Sequence, residues 1–236
     1  MYKAIRAWDN IERALYETGN EYGIPEVPKA SATMWLPPAW IGFNYARSCP
    51  PDERHEHGVH FFVDDYQFSR CWSDPDRYGA LLVQFGAVMM PDFSVYTDYP
   101  KALQMWSVYR NCWLGRYWSE MGVRIIPTAL WSTPDSYEYC FAAMPNGGIY
   151  AVSTVGNQAT AESREYFKLG YEALLKRLQP EKIIYYGKIP DGIPVPENHI
   201  RITTFRDRLR VRCGDARRIA DDGTEQKAAE AIAAAN

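Results

Sequence analysis

Short apolar runs separated by amphipathic stretches dominate the chain from about residue 59 onward. VHFFVDD (a strand over about 59–64), AVMMPD (87–92), VRIIPT (123–128), GIYAVST (148–154) and KIIYYG (182–187) are each nearly continuous in apolar residues. Strands read this way when both faces of their sheet are covered. Between them lie helical patterns: DPDRYGALLVQF (74–85), a long run over 99–121, a short segment near 135–143, and TAESREYFKLGYEALLKRL (160–178). Strict alternation of strand and helix predicts an α/β fold with a parallel sheet and right-handed crossovers. Residues 40–45 before the series and HIRITTF (199–205) after it bring the expected strands to about six to eight.

Two architectures fit this order. An open doubly wound sheet concentrates its chemistry at one switch point. A (β/α) barrel brings every strand end to one mouth. Nearly every predicted strand here ends in polar or special residues: Asn44, Asp64 and Asp65, Asp92 with Ser94, Thr128 with Trp131, Ser153 with Thr154, and Tyr186 with Gly187. That ring of polar ends favours a barrel-like sheet, small or irregular, with the open doubly wound sheet as the alternative. Neither a GxGxxG nor a GxxxxGK[ST] sequence occurs, so dinucleotide and P-loop chemistry have no support. The predicted organisation is an N-terminal arm with a short helix (1–36), an α/β core (37–204), and an arginine-rich then Ala-rich tail (205–236).

The longest helical pattern carries an unusual face. Asp98 followed by Pro100 predicts an N-cap with proline in the first turn, and Gly122 a C-terminal stop. Trp106, Arg110, Trp113 and Tyr117 follow at helical spacing and share one side. An arginine within an aromatic stripe needs an anion if it is dry; Asp92, Asp98 or a substrate phosphate or carboxylate would serve.

Composition narrows the classes. The 236 residues are 47% hydrophobic and 14% aromatic, with a net charge of −3, so the chain can bury a full core and is no polycation. No apolar run approaches the ~18 residues of a membrane span, and the N-terminus has no secretory apolar region. Five scattered cysteines without a CxxC spacing argue against a disulfide framework. A soluble, cytoplasmic protein is expected.

The ordered motifs FFVDDYQFSRCW, PDFSVY, YRNCWLGRYW, IPTALW, AVSTVG and YYG resemble the phage and mobile-element family catalogued as domain of unknown function 4417. The resemblance covers about residues 58–188, most of the expected core. It implies a phage or mobile-element setting and a role in replication, modification or host takeover. It brings no established activity or cofactor.

Within that frame, Asp64, Asp65 and Asp92 are the candidate catalytic residues, since strand-end carboxylates suit acid/base or nucleophilic work or divalent-metal binding. Asp64 and Asp65 are adjacent, so only one can point inward along a strand. Arg110 and Arg116, with Arg70, are candidates for an anion clamp, or else for structural ion pairs. Tyr117, Trp131, Trp106 and Trp118 offer stacking surfaces for a base or sugar, or core packing. Ser94, Ser153 and Thr154 offer hydroxyls to a substrate, and Ser153–Thr154 could instead cap a helix. His55, His57 and His60 beside Cys49 and Cys71 match no standard metal spacing, and no metal site is expected. In the tail, Arg206, Arg208, Arg210 and Arg212 alternate onto one face of a strand and are candidate nucleic-acid contacts. The expectation is an enzyme acting on a nucleotide, nucleobase or nucleic-acid substrate. The rival is a non-catalytic accessory protein binding DNA or a host protein.

Overall fold

The computed structural model describes residues 15–204 and Asp207. The predicted N-terminal helix falls largely, and the alternating tail arginines (Arg206, Arg208, Arg210, Arg212) wholly, outside the described residues. The chain forms two units, residues 1–201 and 202–236. In the second, Thr204 Oγ1 donates to the Asp207 carboxylate at 2.7 Å and accepts from the Asp207 amide at 3.1 Å.

Residues 15–38 contain turns but no regular element, yet they bury Ile24, Val27 and Ala30. Prolines at 25 and 28 exclude a continuous helix or central strand here. The segment is tied down instead by backbone bonds from Val27 N to Ala143 O (3.0 Å) and from Ile149 N to Ala30 O (2.9 Å).

The regular elements follow in order: β1 (Ala39–Gly42), α1 (Phe43–Ala46), β2 (His57–His60), α2 (Arg70–Ser73), α3 (Pro75–Leu82), β3 (Ala87–Met89), α4 (Lys101–Glu120), β4 (Ile125–Ile126), α5 (Tyr137–Cys140), β5 (Ile149–Ser153), α6 (Ala161–Leu178), β6 (Lys182–Tyr186) and β7 (His199–Ile202). Strands β1 to β4 make one parallel sheet in chain order, with Ala39 opposite His57, Val59 opposite Val88, and Met89 opposite Ile126. Strands β5, β6 and β7 make a second, in which β5 and β6 are parallel with Tyr150 opposite Ile183. Just past β4 the two sheets touch: Thr128 bridges Ala151, through Ala129 N to Ala151 O and Ala151 N to Pro127 O, both 2.9 Å.

The expected alternation and parallel direction are present; among the described residues a closed barrel is not. The sheet does curl, because His60 at the end of β2 lies against Tyr186 at the end of β6, ring centroids 4.5 Å apart, with three strands intervening in the order. Among the described residues no strand pairing closes the ring, and β4, only two residues long, pairs with β3 on one side and yields to a single bridge on the other. An order that never reverses also lacks the switch point of a doubly wound sheet.

Strands β3, β5 and β6 are buried almost throughout, which is why their sequences are continuous apolar runs rather than alternating ones. Helix α4 packs Trp113 and Trp118, both fully buried, against α2 and α3. Trp72 meets Trp106 and Trp113 edge-on at 5.5 and 5.2 Å, and the Trp118 indole donates to Pro75 O at 2.9 Å. Gly122, at φ +89°, ends α4 as expected. Its start differs: Pro100 occupies the N-cap with no side-chain cap, so Asp98 does not serve.

Candidate active site

The C-terminal ends of β2 to β5 surround a cavity of about 530 Å3. Asp64 enters it from the turn after β2, Asp92 and Ser94 from the segment after β3, Trp131 and Ser132 from the segment after β4, and Ser153 from the end of β5. The far wall is the loop after β5 and the first turns of α6, with Asn157, Thr160, Glu162, Ser163, Tyr166 and Phe167. Its ionisable lining groups other than tyrosine are all acidic: Asp64, Asp92 and Glu162; among the described residues no lysine, arginine or histidine lines it.

The segment Asp92–Phe93–Ser94 is clamped from two directions. Asn111 on α4, fully buried, accepts from Phe93 N at 2.8 Å and donates to Phe93 O at 3.1 Å. Asp65 accepts from Ser94 N at 3.0 Å and from Ser94 Oγ at 2.9 Å. The Arg110 guanidinium lies 3.8 Å from the centre of the Phe93 ring, a cation–π contact. Between these fixed points Asp92 is half-buried on the cavity wall. Burial, with the neighbouring Asp65 charge adding to it, pushes its carboxyl from 3.8 up to about 8, so it holds its proton at neutral pH.

The other aromatic wall is set by one glycine. Trp131 donates its indole N–H to Tyr166 O at 3.1 Å and packs on Phe167 at 5.4 Å. Gly170, one turn further along α6, leaves room for that ring: a Cβ there would sit 2.1 Å from Trp131 Cδ1 and Nε1. At the start of α6 Thr160 and Ser163 form a reciprocal capping box.

The candidate residues therefore divide. Asp64, Asp92, Ser94, Trp131 and Ser153 line the cavity. Asp65 stands behind it, holding Ser94. Arg116 pairs with Glu120 at 2.7 Å, half-exposed, and lies over Tyr16; Tyr117 stacks on Trp113 and donates to Asp76. Thr154 is buried and spends its hydroxyl on Tyr186 O at 3.1 Å. None of these three, nor Arg110, lines the cavity. For Tyr117 the physical reason is that the aromatic side of α4 turns toward α2 and α3, where Trp72 and Asp76 receive it. The residues that pattern reading passed over are Asn111, whose partner is 18 positions away, and the α6 wall, whose Thr-x-x-Ser cap was the available signal.

His55 is exposed beside Glu56, His57 Nδ1 contacts Glu53 O at 2.9 Å, and His60, Cys49 and Cys71 are buried. Among the described residues no three His, Cys, Asp or Glu side chains are grouped to hold a metal ion, and no helix is long and apolar enough to cross a membrane.

Against known proteins, the family model described as a domain of unknown function (DUF4417) matches residues 16–206. That span is wider than the motif-bearing stretch 58–188, taking in the N-terminal segment, β1 and β7. The chain is 36% identical to the Gene 1 protein of Mycobacterium phage L5 over 200 residues, 84% of this chain and 86% of that protein. It is 35% identical to the Gene 1 protein of Mycobacterium phage D29 over 193 residues, 81% of this chain and 71% of that protein. No solved structure matches.

Proposed function

The chain belongs to the DUF4417 family, and from the site its fold builds we propose a phage enzyme acting by proton transfer on a nucleoside- or nucleobase-type substrate. The observation that carries this reading is Asp92: half-buried on the wall of the cavity and clamped through its neighbours, with burial and the Asp65 charge raising its carboxyl to about 8. A carboxylic acid whose pKa lies close to the working pH is suited to deliver a proton to a leaving group or a ring nitrogen. Among the described residues no hydrogen bond or ion pair occupies that carboxyl, so its proton is available to a ligand.

The rest of the lining fits a flat, neutral, hydrogen-bonding ligand. Trp131, Tyr166, Phe167 and Tyr96 bring aromatic side chains to the lining, and serine, threonine and asparagine side chains bring groups that both donate and accept. Asp64 and Glu162 supply further carboxyl groups for positive charge that develops as a glycosidic or ring C–N bond is broken. Arg110 and Arg116 do not line the cavity, so the reading favours nucleosides and bases over nucleotides.

The test is turnover. The protein is incubated with ribo- and deoxyribonucleosides and free bases, and products are followed by NMR, with Asp92→Asn in parallel. Conversion by the parent that is lost in the folded variant supports the enzyme. No conversion, or equal conversion by both proteins, refutes it and returns the chain to the accessory-protein class.

A further inference from the structure

Six serine or threonine side chains line the cavity: Ser94, Thr97, Ser132, Ser153, Thr160 and Ser163. Ser132 is the buried one, 3% exposed. Ser94 donates to Asp65, Ser153 accepts from Val155 N, and Thr160 and Ser163 satisfy one another. The Ser132 hydroxyl has no hydrogen-bond partner although it is shut off from water. Its backbone cannot shift to find one cheaply, because Ser132 N donates to Ser136 Oγ at 2.9 Å and the preceding Trp131 is anchored to Tyr166.

A hydroxyl buried without a partner destabilises the free protein. Such a group in a native fold calls for an explanation. Alanine at this position would remove that cost with little loss of volume. A serine side chain has three staggered positions, so rotation about one bond re-aims its oxygen, and Ser132 is a lining residue of the cavity.

We propose that Ser132 is a substrate-binding residue whose hydroxyl pairs with an uncharged polar group of the ligand, and that the cavity selects nucleosides against their phosphates. This rests on the reading of the cavity as a substrate site. Selection against phosphate follows from the lining: a phosphate brings roughly −1.5 to −2 charges toward Asp64 and Glu162, with no cationic lining residue among those described. The Ser132 hydroxyl satisfies a sugar hydroxyl, a base carbonyl or an amino group equally well, since it can donate or accept.

The experiment is calorimetric binding of adenosine, guanosine, cytidine, uridine and thymidine, each beside its 5′-monophosphate, to the parent, to Asp92→Asn and to Ser132→Ala. Thermal melts of the free proteins accompany it. At least one nucleoside is expected to bind about tenfold or more tighter than its monophosphate. Ser132→Ala should weaken that nucleoside about tenfold, the equivalent of one buried hydrogen bond, while the free variant melts at or above the parent temperature. A merely structural serine would instead lower the melting temperature and leave the affinity alone. That result, equal or tighter binding of the monophosphates, or no nucleoside binding at all, overturns the proposal. Binding that depends on Ser132 in a protein that turns nothing over removes the enzyme and leaves this assignment standing. Turnover with affinity indifferent to Ser132→Ala does the reverse.

Discussion

Replacing Asp92 with asparagine should make the protein more stable, and the gain should depend on pH. The side chain keeps its shape and loses only its ability to ionise. In the native state the carboxyl is pushed from 3.8 to about 8, burial being the larger cause and Asp65 the smaller. Between those two values the folded protein keeps the proton while the unfolded chain has released it, so ionisation favours unfolding. Stability contributed by the neutral carboxyl is complete below about pH 4 and is lost as pH rises through about 8. Each pH step of one in that window costs the parent about 1.4 kcal/mol, or about 4 kcal/mol in all at pH 7. Contact of the half-buried carboxyl with the cavity reduces this, and about 2–4 kcal/mol is expected. For a domain of this size each kcal/mol moves the melting temperature by about 2–4 °C. Melting curves of the two proteins should coincide near pH 4 and separate by about 5–15 °C at pH 8, the variant being higher. A variant that melts below the parent at pH 8, or a gap that does not change with pH, would refute the reasoning and make Asp92 a structural carboxylate.

Other positions carry further expectations. Gly170→Ala would ordinarily favour a helix by about 1 kcal/mol, but here the new Cβ collides with Trp131 at 2.1 Å; a loss of about 1–3 kcal/mol and a shift in tryptophan emission are expected, and an unchanged melting temperature would show that the ring moves freely. Asn111→Ala leaves the Phe93 N–H and C=O unpaired in the core and should cost about 2–4 kcal/mol in chemical denaturation; a loss under about 1 kcal/mol would mean the clamp is redundant. Arg116→Met removes a half-exposed i,i+4 pair with Glu120, so stability should stay within about 0.5 kcal/mol and nucleoside affinity should be unaltered; a clear drop in affinity would put Arg116 back at the site.

Much of the fold was legible because buried parallel strands leave a one-dimensional trace. AVM, the IYAV of β5 and the IIYY of β6 are apolar without interruption, and polar residues follow each within about three positions of the strand end. That rule reaches Asp92, Ser94, Trp131 and Ser153, which line one cavity. It stops at closure. Whether a curled sheet meets itself depends on pairings between distant strands, and a two-residue strand such as Ile125–Ile126 leaves no pattern from which to judge. The α4 face misled for a related reason. Helical spacing groups Trp106, Arg110, Trp113 and Tyr117 but does not tell which neighbour they face. Trp72 and Asp76, rather than the cavity, receive that side, and Arg110 lies over Phe93. Asn111, in the same helix, looks like any polar residue until its two bonds to Phe93 are seen.

The proposed proton donor is the Asp92 carboxyl, raised to about 8 beside an open cavity. Uniform labelling of aspartate with 13C, followed by NMR titration of the parent and of Asp92→Asn, measures this directly. One carboxyl resonance missing from the variant should titrate near pH 8. If the missing resonance titrates below about pH 5 instead, Asp92 is a carboxylate under working conditions, and the proposed proton donor is contradicted.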